Sequence, residues 1–313
     1  MTLVEFFFDV GFAQAAVRLM MPLLLGTLGE LVAQRSGVVN IGIEGMMLTG
    51  ALAAFSTAFL TGSLWLGVLG GIAVGMLLGF ILSLLVVDLR LDQTVAGLGM
   101  TIAATGIVFY CFRLGFGSGG TPPAITPFTT VSIPVFSSIP VFGPVFFNQF
   151  ALSYIGYLAL PLISWFLWRT GAGLALRTVG ENPKAATSAG VDVIQTRRYA
   201  LLFSGGMAGL AGAYLNLAAI GGFTFGIVSG RGFICLALVV LGRWSPIPCA
   251  LAALLFGAVD SLQLRLQTSS SINIPYQLML AAPYAATLVA LILSSRNARA
   301  PAALMEAYDA EAR

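Results

Sequence analysis

The chain has no histidine and one lysine, and only 9% of its 313 residues are charged. A soluble domain carries about 25% charged residues, so this sequence has too few polar side chains to cover its own surface, and its natural solvent is lipid. Without histidine it lacks the usual metal ligand and the usual general base at neutral pH. Cys111, Cys235 and Cys249 stand singly in apolar runs without Cys-x-x-Cys spacing, which reads as small buried hydrophobes rather than a metal or disulfide framework. The sequence has no Gly-x-x-x-x-Gly-Lys-Ser/Thr phosphate loop, no His-Glu-x-x-His and no nucleophile elbow. These absences argue against catalysis by the chain itself, with no catalytic residues and no metal site expected. A net charge of +3 in so apolar a chain gives no reason to expect nucleic acid as a partner.

What the chain does have is length in hydrophobic runs: 58% of it is hydrophobic and the mean hydropathy is +0.96. A helix needs about 20 apolar residues to cross the hydrocarbon core. Residues 10–33, 41–60, 64–87, 94–114, 151–168, 199–220, 232–241, 247–264 and 275–293 are candidates, the segment 232–241 being short enough to be broken or tilted. The expected fold is an all-α polytopic membrane protein of about nine to ten transmembrane helices, some broken, forming one domain over residues 1–313. Residues 1–9 carry Glu5 and Asp9 and no basic residue, so the first span is expected to remain as an anchor rather than act as a cleaved signal.

With the N-terminus outside and each segment crossing, eleven of the fifteen basic residues fall on the inner side, which fits the positive-inside rule. The predicted orientation is N-out and C-in. Trp165, Trp168 and Trp244 then lie near inner span ends, where amphipathic rings anchor at the interface. Residues 115–149 form a long external loop whose stretch from Gly115 to Asn148 is uncharged and rich in Gly, Pro, Ser and Thr; it either caps the exit of a pathway, docks an external partner or is a passive connector. Gly37-Val38-Val39-Asn40-Ile41-Gly42 breaks the hydrophobic pattern early and Gly226 to Gly232 does so late. Such paired breaks occur beside the pathway of transporters built from inverted repeats.

Ionisable groups inside spans cost at least a few kcal/mol, about 2.5–3.5 at mid-bilayer, so each asks for a reason. Asn40 and Glu44, four apart, would share a helix face and either line or gate a translocation path, or serve structure, with Glu44 pairing a base such as Arg35. Asp260 and Gln263, one turn apart, suit an uncharged polar solute with ring nitrogens and hydroxyls, or else glue helices together. Asn216 is a lone intramembrane amide, and Glu30 with Arg35 reads as part of a structural charge cluster.

Residues 169–198 interrupt the oily chain as a basic, breaker-rich island. Asn182 suits an N-cap, Pro183 the first helical turn, and Gly190 a C-terminal stop, which predicts a short helix over residues 184–189. So short a helix is not stable alone and needs packing against the spans or a partner's groove. Tied to two spans, it would convert a partner's movement into span movement.

The run Gly173-Leu174-Ala175-Leu176-Arg177-Thr178-Val179-Gly180-Glu181-Asn182-Pro183-Lys184-Ala185-Ala186, with Gly190 beyond, resembles the coupling loop of bacterial ABC importer permeases. Three further segments match: residues 34–47 (Gln34-Arg35-Ser36-Gly37 through Glu44-Gly45-Met46-Met47), Ser229 to Ile234 with Leu241 to Trp244, and Leu255 to Ala258 with Leu262 to Gln267. Together they extend over almost the whole chain. The subfamily most resembled imports nucleosides and related purines, through a shorter and a longer permease; this chain looks like the shorter.

The resemblance implies a transport subunit rather than an enzyme, in the bacterial cytoplasmic membrane. Its implied partners are a cytoplasmic ABC ATPase, a second permease of different sequence, and an external substrate-binding protein. No cofactor is expected in this chain; ATP and Mg would belong to the ATPase. By motif match Gly180, Glu181, Asn182, Pro183, Lys184, Ala185, Ala186 and Gly190 would form the ATPase-coupling helix. Asn40, Glu44, Asn216, Asp260 and Gln263 are pathway candidates from polarity and placement alone. The competing substrates are a simple sugar or a branched-chain amino acid, and the competing class is an ion-coupled secondary transporter.

Overall fold

The computed structural model describes residues 9–117, 123–134, 136–140, 142–268 and 299–308, with isolated positions between 281 and 292. The described chain is almost wholly helical. Helix α1 runs Val10–Arg35, α2 Ile43–Thr61, α3 Leu64–Ser83 and α4 Gln93–Phe116. Then come α5 (Phe142–Phe147), α6 (Ala151–Arg169), α7 (Gly171–Glu181) and α8 (Pro183–Ser188). The last are α9 (Val193–Tyr214), α10 (Arg231–Leu241) and α11 (Pro246–Thr268). α3 continues through a π-turn to Asp88 and α9 through another to Ile220.

Seven of these helices are long and apolar enough to cross a membrane, and α10 is a shorter apolar helix of 11 residues. The short segment expected at 232–241 is thus a distinct helix, one residue longer at its start, and the candidate at 275–293 lies, but for isolated positions, outside the described residues. The span expected to begin at Tyr199 begins at Val193 instead, because Asp192 caps it by accepting the Gln195 N–H at 2.9 Å. Arg197 and Arg198 therefore belong to a span helix and not to a loop.

Burial sorts the helices. The apolar windows of α1 and α9 are 83% and 89% buried, against 28% for α4 and α6, so α1 and α9 form the centre and α4 and α6 the rim. α9 packs along α1, α2 and α3, while α11 lies on α1 and α10 fits against α1 and α2. Small residues allow the closest crossing. Gly71, Gly75 and Gly79 on α3 meet Gly205 and Gly209 on α9 so tightly that a Cβ on Gly205 would collide with the Gly75 carbonyl. Between lipid-embedded helices such backbone approach supplies van der Waals contact where no water-driven association exists.

The segment expected as an external loop carries structure of its own. Strand β1 (Thr130–Ser132) pairs antiparallel with β2 (Asn148–Phe150), Val131 opposite Gln149, with α5 between them. Arg18 of α1 anchors it: its Nε donates to Gln149 Oε1 at 3.1 Å and its guanidinium lies 4.7 Å from the Phe150 ring centre. At the same end Arg265 of α11 pairs with Asp9 at 2.7 Å, a hydrogen bond that holds the Asp9 carboxyl below its ordinary range.

Two expectations about interfacial and charged residues are corrected. Trp244 does not anchor at an interface. Arg243 and Trp244 both take a left-handed turn (φ 52°) after α10, which folds the indole inward; it is 4% exposed and donates to Gln34 Oε1 at 2.7 Å. Trp165 and Trp168, at 59% and 44% exposed, keep the surface position expected of them. Glu30 and Arg35 do not form one charge cluster. Arg35 donates Nε to the Trp244 carbonyl at 2.7 Å, whereas the fully buried Glu30 accepts from Gln34 Nε2 and from the Asn40 N–H.

Candidate functional site: a doubly capped surface helix and a broken helix in the membrane

α6 ends at Arg169, and Thr170 caps α7 by accepting the Gly173 N–H at 3.0 Å. The 169–198 region is thus two helices and a span start rather than one loop. α7 lies back on the bundle through Leu176, Val179 and Gly180. Gly180 has to be glycine for a steric reason, since a Cβ there would fall on the Arg35 carbonyl. Arg177 stacks over Trp168, 4.4 Å from its ring centre.

Asn182 then switches to extended backbone (φ −151°, ψ 93°), ends α7, and accepts the Ala185 N–H on its side chain at 3.0 Å, so it caps α8. Pro183 occupies the first turn, where a missing N–H costs nothing. At the other end the Val191 N–H bonds the Ala186 carbonyl at 3.0 Å and the Gly190 N–H bonds Thr187 at 2.9 Å, with Gly190 at φ 82°. That pair of bonds is a Schellman stop and needs the left-handed residue. The short helix expected at 184–189 is therefore present at 183–188, closed at both ends.

Glu181, Asn182, Lys184, Ala185 and Gly190 are exposed, Pro183 is half-buried, and Gly180 and Ala186 are buried. Ala186 points inward, into a small cluster with Val179 and Val193. The expected set therefore divides into an outward face led by Glu181 and Lys184 and an inward seat that fixes it.

The second candidate site lies where the two glycine-broken segments meet. Asn40 and Glu44 do not share a helix face, because α2 starts only at Ile43. Asn40, fully buried, donates Nδ2 to Ser204 Oγ at 3.0 Å, while Glu44 turns to the start of α10. There its two carboxylate oxygens accept the N–H groups of Gly230 and Gly232 at 2.8 and 2.7 Å. A carboxylate at a helix N-terminus satisfies orphan donors and the helix dipole together. Gly232 leaves room for it, a Cβ there lying 2.6 Å from Glu44 Cα. Between these bonds sits Arg231, whose guanidinium is 3.9 Å from Asp260 of α11. Glu44 and Asp260, from opposite halves of the sequence, are thus gathered around one broken helix. Arg35 is not the partner of Glu44.

Gln263 is half-buried on α11, one turn beyond Asp260. Asn216 lies apart, fully buried in the π-turn, donating to the Ala51 carbonyl at 3.1 Å between α9 and α2. Sequence reading missed the aromatic surroundings of the break. Phe223 and Phe225, just before Gly226, pack with Phe112 at ring distances of 5.2 and 5.1 Å, and Phe109 lies 4.9 Å from Phe225. Phe109 and Phe225 are 41% and 45% exposed, so this cluster presents ring surface outward. The four phenylalanines come from two segments more than a hundred residues apart, and only the fold gathers them.

A bundle of helices apolar and long enough to cross a membrane, with a short helix opened by a glycine-rich break and a capped polar helix on its surface, is the architecture of a membrane permease. A family model described as "Branched-chain amino acid transport system / permease component" matches residues 13–294. The chain belongs to this family, and it is a multi-pass membrane transport subunit rather than an enzyme. It is 37% identical to the putative glucose ABC transporter permease protein TsgC13 of Haloferax volcanii, over 97% of this chain and 99% of that one. It is 38% identical to the guanosine ABC transporter permease protein NupQ of Bacillus subtilis, over 90% and 91% of the two chains. The nucleoside ABC transporter permease protein NupC of Lactococcus lactis is 34% identical over the same shares.

Proposed function

We propose that the chain is one of two membrane subunits of an ATP-driven nucleoside importer in the bacterial cytoplasmic membrane, with its N-terminus outside. A separate ATPase binds ATP and Mg, a second permease completes the pathway, and an external binding protein delivers the substrate. The observation that carries the reading is α8. A helix of six residues is too short to persist alone, yet this one is capped at both ends and seated by Ala186 while Glu181 and Lys184 face outward. A rigid exposed helix between two spans is what an external motor needs to grip, and an ion-coupled carrier has no use for it. Gly180, Glu181, Asn182, Pro183, Lys184, Ala185, Ala186 and Gly190 are accordingly assigned to coupling.

The nucleoside assignment draws on the names of NupQ and NupC and on the chemistry around the break. A nucleoside offers flat ring faces and several hydrogen-bonding edges. The exposed rings of Phe109 and Phe225 suit the first, and Glu44, Arg231, Asp260 and Gln263 the second. Asn40 supports that region from within, Asn216 braces α9 against α2 apart from it, and neither is assigned to solute contact. A sugar is the second reading, favoured by the similarity to TsgC13 along nearly the full length. Transport of labelled guanosine by the reconstituted complex, challenged with excess unlabelled adenosine, glucose or leucine, separates them. Competition by adenosine alone supports the nucleoside reading; competition by glucose alone replaces it with the sugar.

A further inference from the structure

Residues 299–308, which no motif singled out, run back across the junction of α7 and α8. The Ala303 N–H donates to the Gly180 carbonyl at 2.9 Å and the Met305 N–H to the Gly37 carbonyl at 3.0 Å. The Ala302 N–H reaches Glu181 Oε2 at 3.3 Å. Arg197, 3% exposed on α9, donates Nε to the Ser36 carbonyl at 3.2 Å and Nη1 to the Glu306 carbonyl at 2.8 Å. The Tyr308 hydroxyl meets Thr187 Oγ1 at 2.8 Å, and its ring packs on the cluster beneath α8. These contacts tie four elements together: the α1–α2 turn, α7, α8 and α9. Ala303 is 3% exposed, so the segment is seated in the bundle and is not a loose tail.

Between this strap and α8 lies an open cleft of about 370 Å³. Its walls include Glu181, Lys184, Glu306 and Tyr308, two carboxylates against one ammonium beside an aromatic ring. Paired carboxylates and a ring face match a guanidinium, which binds carboxylate in a fork and stacks on aromatic rings.

We propose that residues 299–308 form the second wall of the ATPase dock, fixing α8 to the α1–α2 turn and receiving one arginine side chain of the ATPase in the cleft. The inference rests on the coupling reading of α8 and adds to it a surface that the motif does not contain. Met305 sits at φ 66°, a left-handed position that glycine tolerates and proline cannot reach, and proline would also remove the bond to Gly37. Glu306 holds Arg197 through its backbone carbonyl, and its exposed carboxylate also acts on that guanidinium through charge, so Glu306→Lys keeps the strap's backbone bond while opposing both Arg197 and an incoming arginine.

The test uses the assembled transporter, both permeases and the ATPase, in lipid nanodiscs and proteoliposomes. Met305→Pro and Glu306→Lys are each expected to weaken ATPase association or ATP-driven uptake by about fivefold or more, the scale of one lost or reversed charge contact. Met305→Gly should match the unaltered transporter. Wild-type association and uptake in both Met305→Pro and Glu306→Lys would overturn the proposal. If Met305→Pro does not assemble, Glu306→Lys decides alone, and unaltered ATPase affinity in that variant rejects the cleft as a dock. Failure of the underlying importer reading has a different signature, namely uptake by the unaltered permeases without any ATPase.

Discussion

Replacing Asn182 with alanine isolates the mechanics of α8 from its surface chemistry. The side chain accepts one backbone N–H, that of Ala185, at 3.0 Å, and Asn182 itself is exposed. Deleting an N-cap of this kind costs about 1 kcal/mol. A six-residue helix has no reserve of its own, so the cost falls on the equilibrium between seated and frayed α8. About 1 kcal/mol shifts that ratio roughly fivefold. Hydrogen exchange followed by mass spectrometry on the permease pair reads it directly, because local opening sets the exchange rate. Amides of residues 185–189 should exchange about fivefold faster in Asn182→Ala, while those of α9 beyond Ala200 keep their protection. Asn182→Ser, which retains a capping oxygen, should restore most of the protection. Unchanged exchange across 185–189 in the alanine variant would refute the claim that the cap holds the helix.

Two substitutions test the membrane part. Gly205→Val forces α9 off α3, where Gly75 and Gly79 leave no space; overpacking of about 1–3 kcal/mol should lower the melting temperature in detergent, and a wild-type melting curve would contradict the assigned crossing. Glu44→Ala leaves the N–H groups of Gly230 and Gly232 without their acceptor, at about 1–3 kcal/mol for the buried Gly232 and less for the half-buried Gly230. It should destabilise more than Glu44→Gln, which keeps one acceptor oxygen, and equal stability of the two variants would remove the capping role.

The fold class was legible because composition and run length alone force a membrane solution, and α8 was legible because its cap residues are local signals. Asn182, Pro183 and Gly190 each act within four residues of themselves, so their spacing carries their structure. The broken helix was only half legible. The glycine runs marked both breaks, but that Glu44 would cap α10 across a sequence separation of 186 is a tertiary fact with no local trace. The shared face assigned to Asn40 and Glu44 failed for the same reason: the backbone turns between them, and periodicity presumes a continuous helix. Trp244 misled because its rank near a span end is what an interface anchor shows, while the left-handed turn that buries it depends on packing against Gln34. The strap was invisible in sequence, since it binds mainly through backbone groups that every residue possesses.

The central claim is that an external ATPase drives this permease through α8. The most direct measurement is substrate uptake into proteoliposomes holding the two permeases, with and without the ATPase and internal ATP, for the unaltered chain and for Glu181→Lys, which reverses an exposed charge beside α8. The account predicts uptake only with ATPase and ATP together, and its loss in Glu181→Lys while the permease pair stays folded. Uptake sustained by an ion gradient without ATPase, or full ATP-driven uptake in Glu181→Lys, would contradict it.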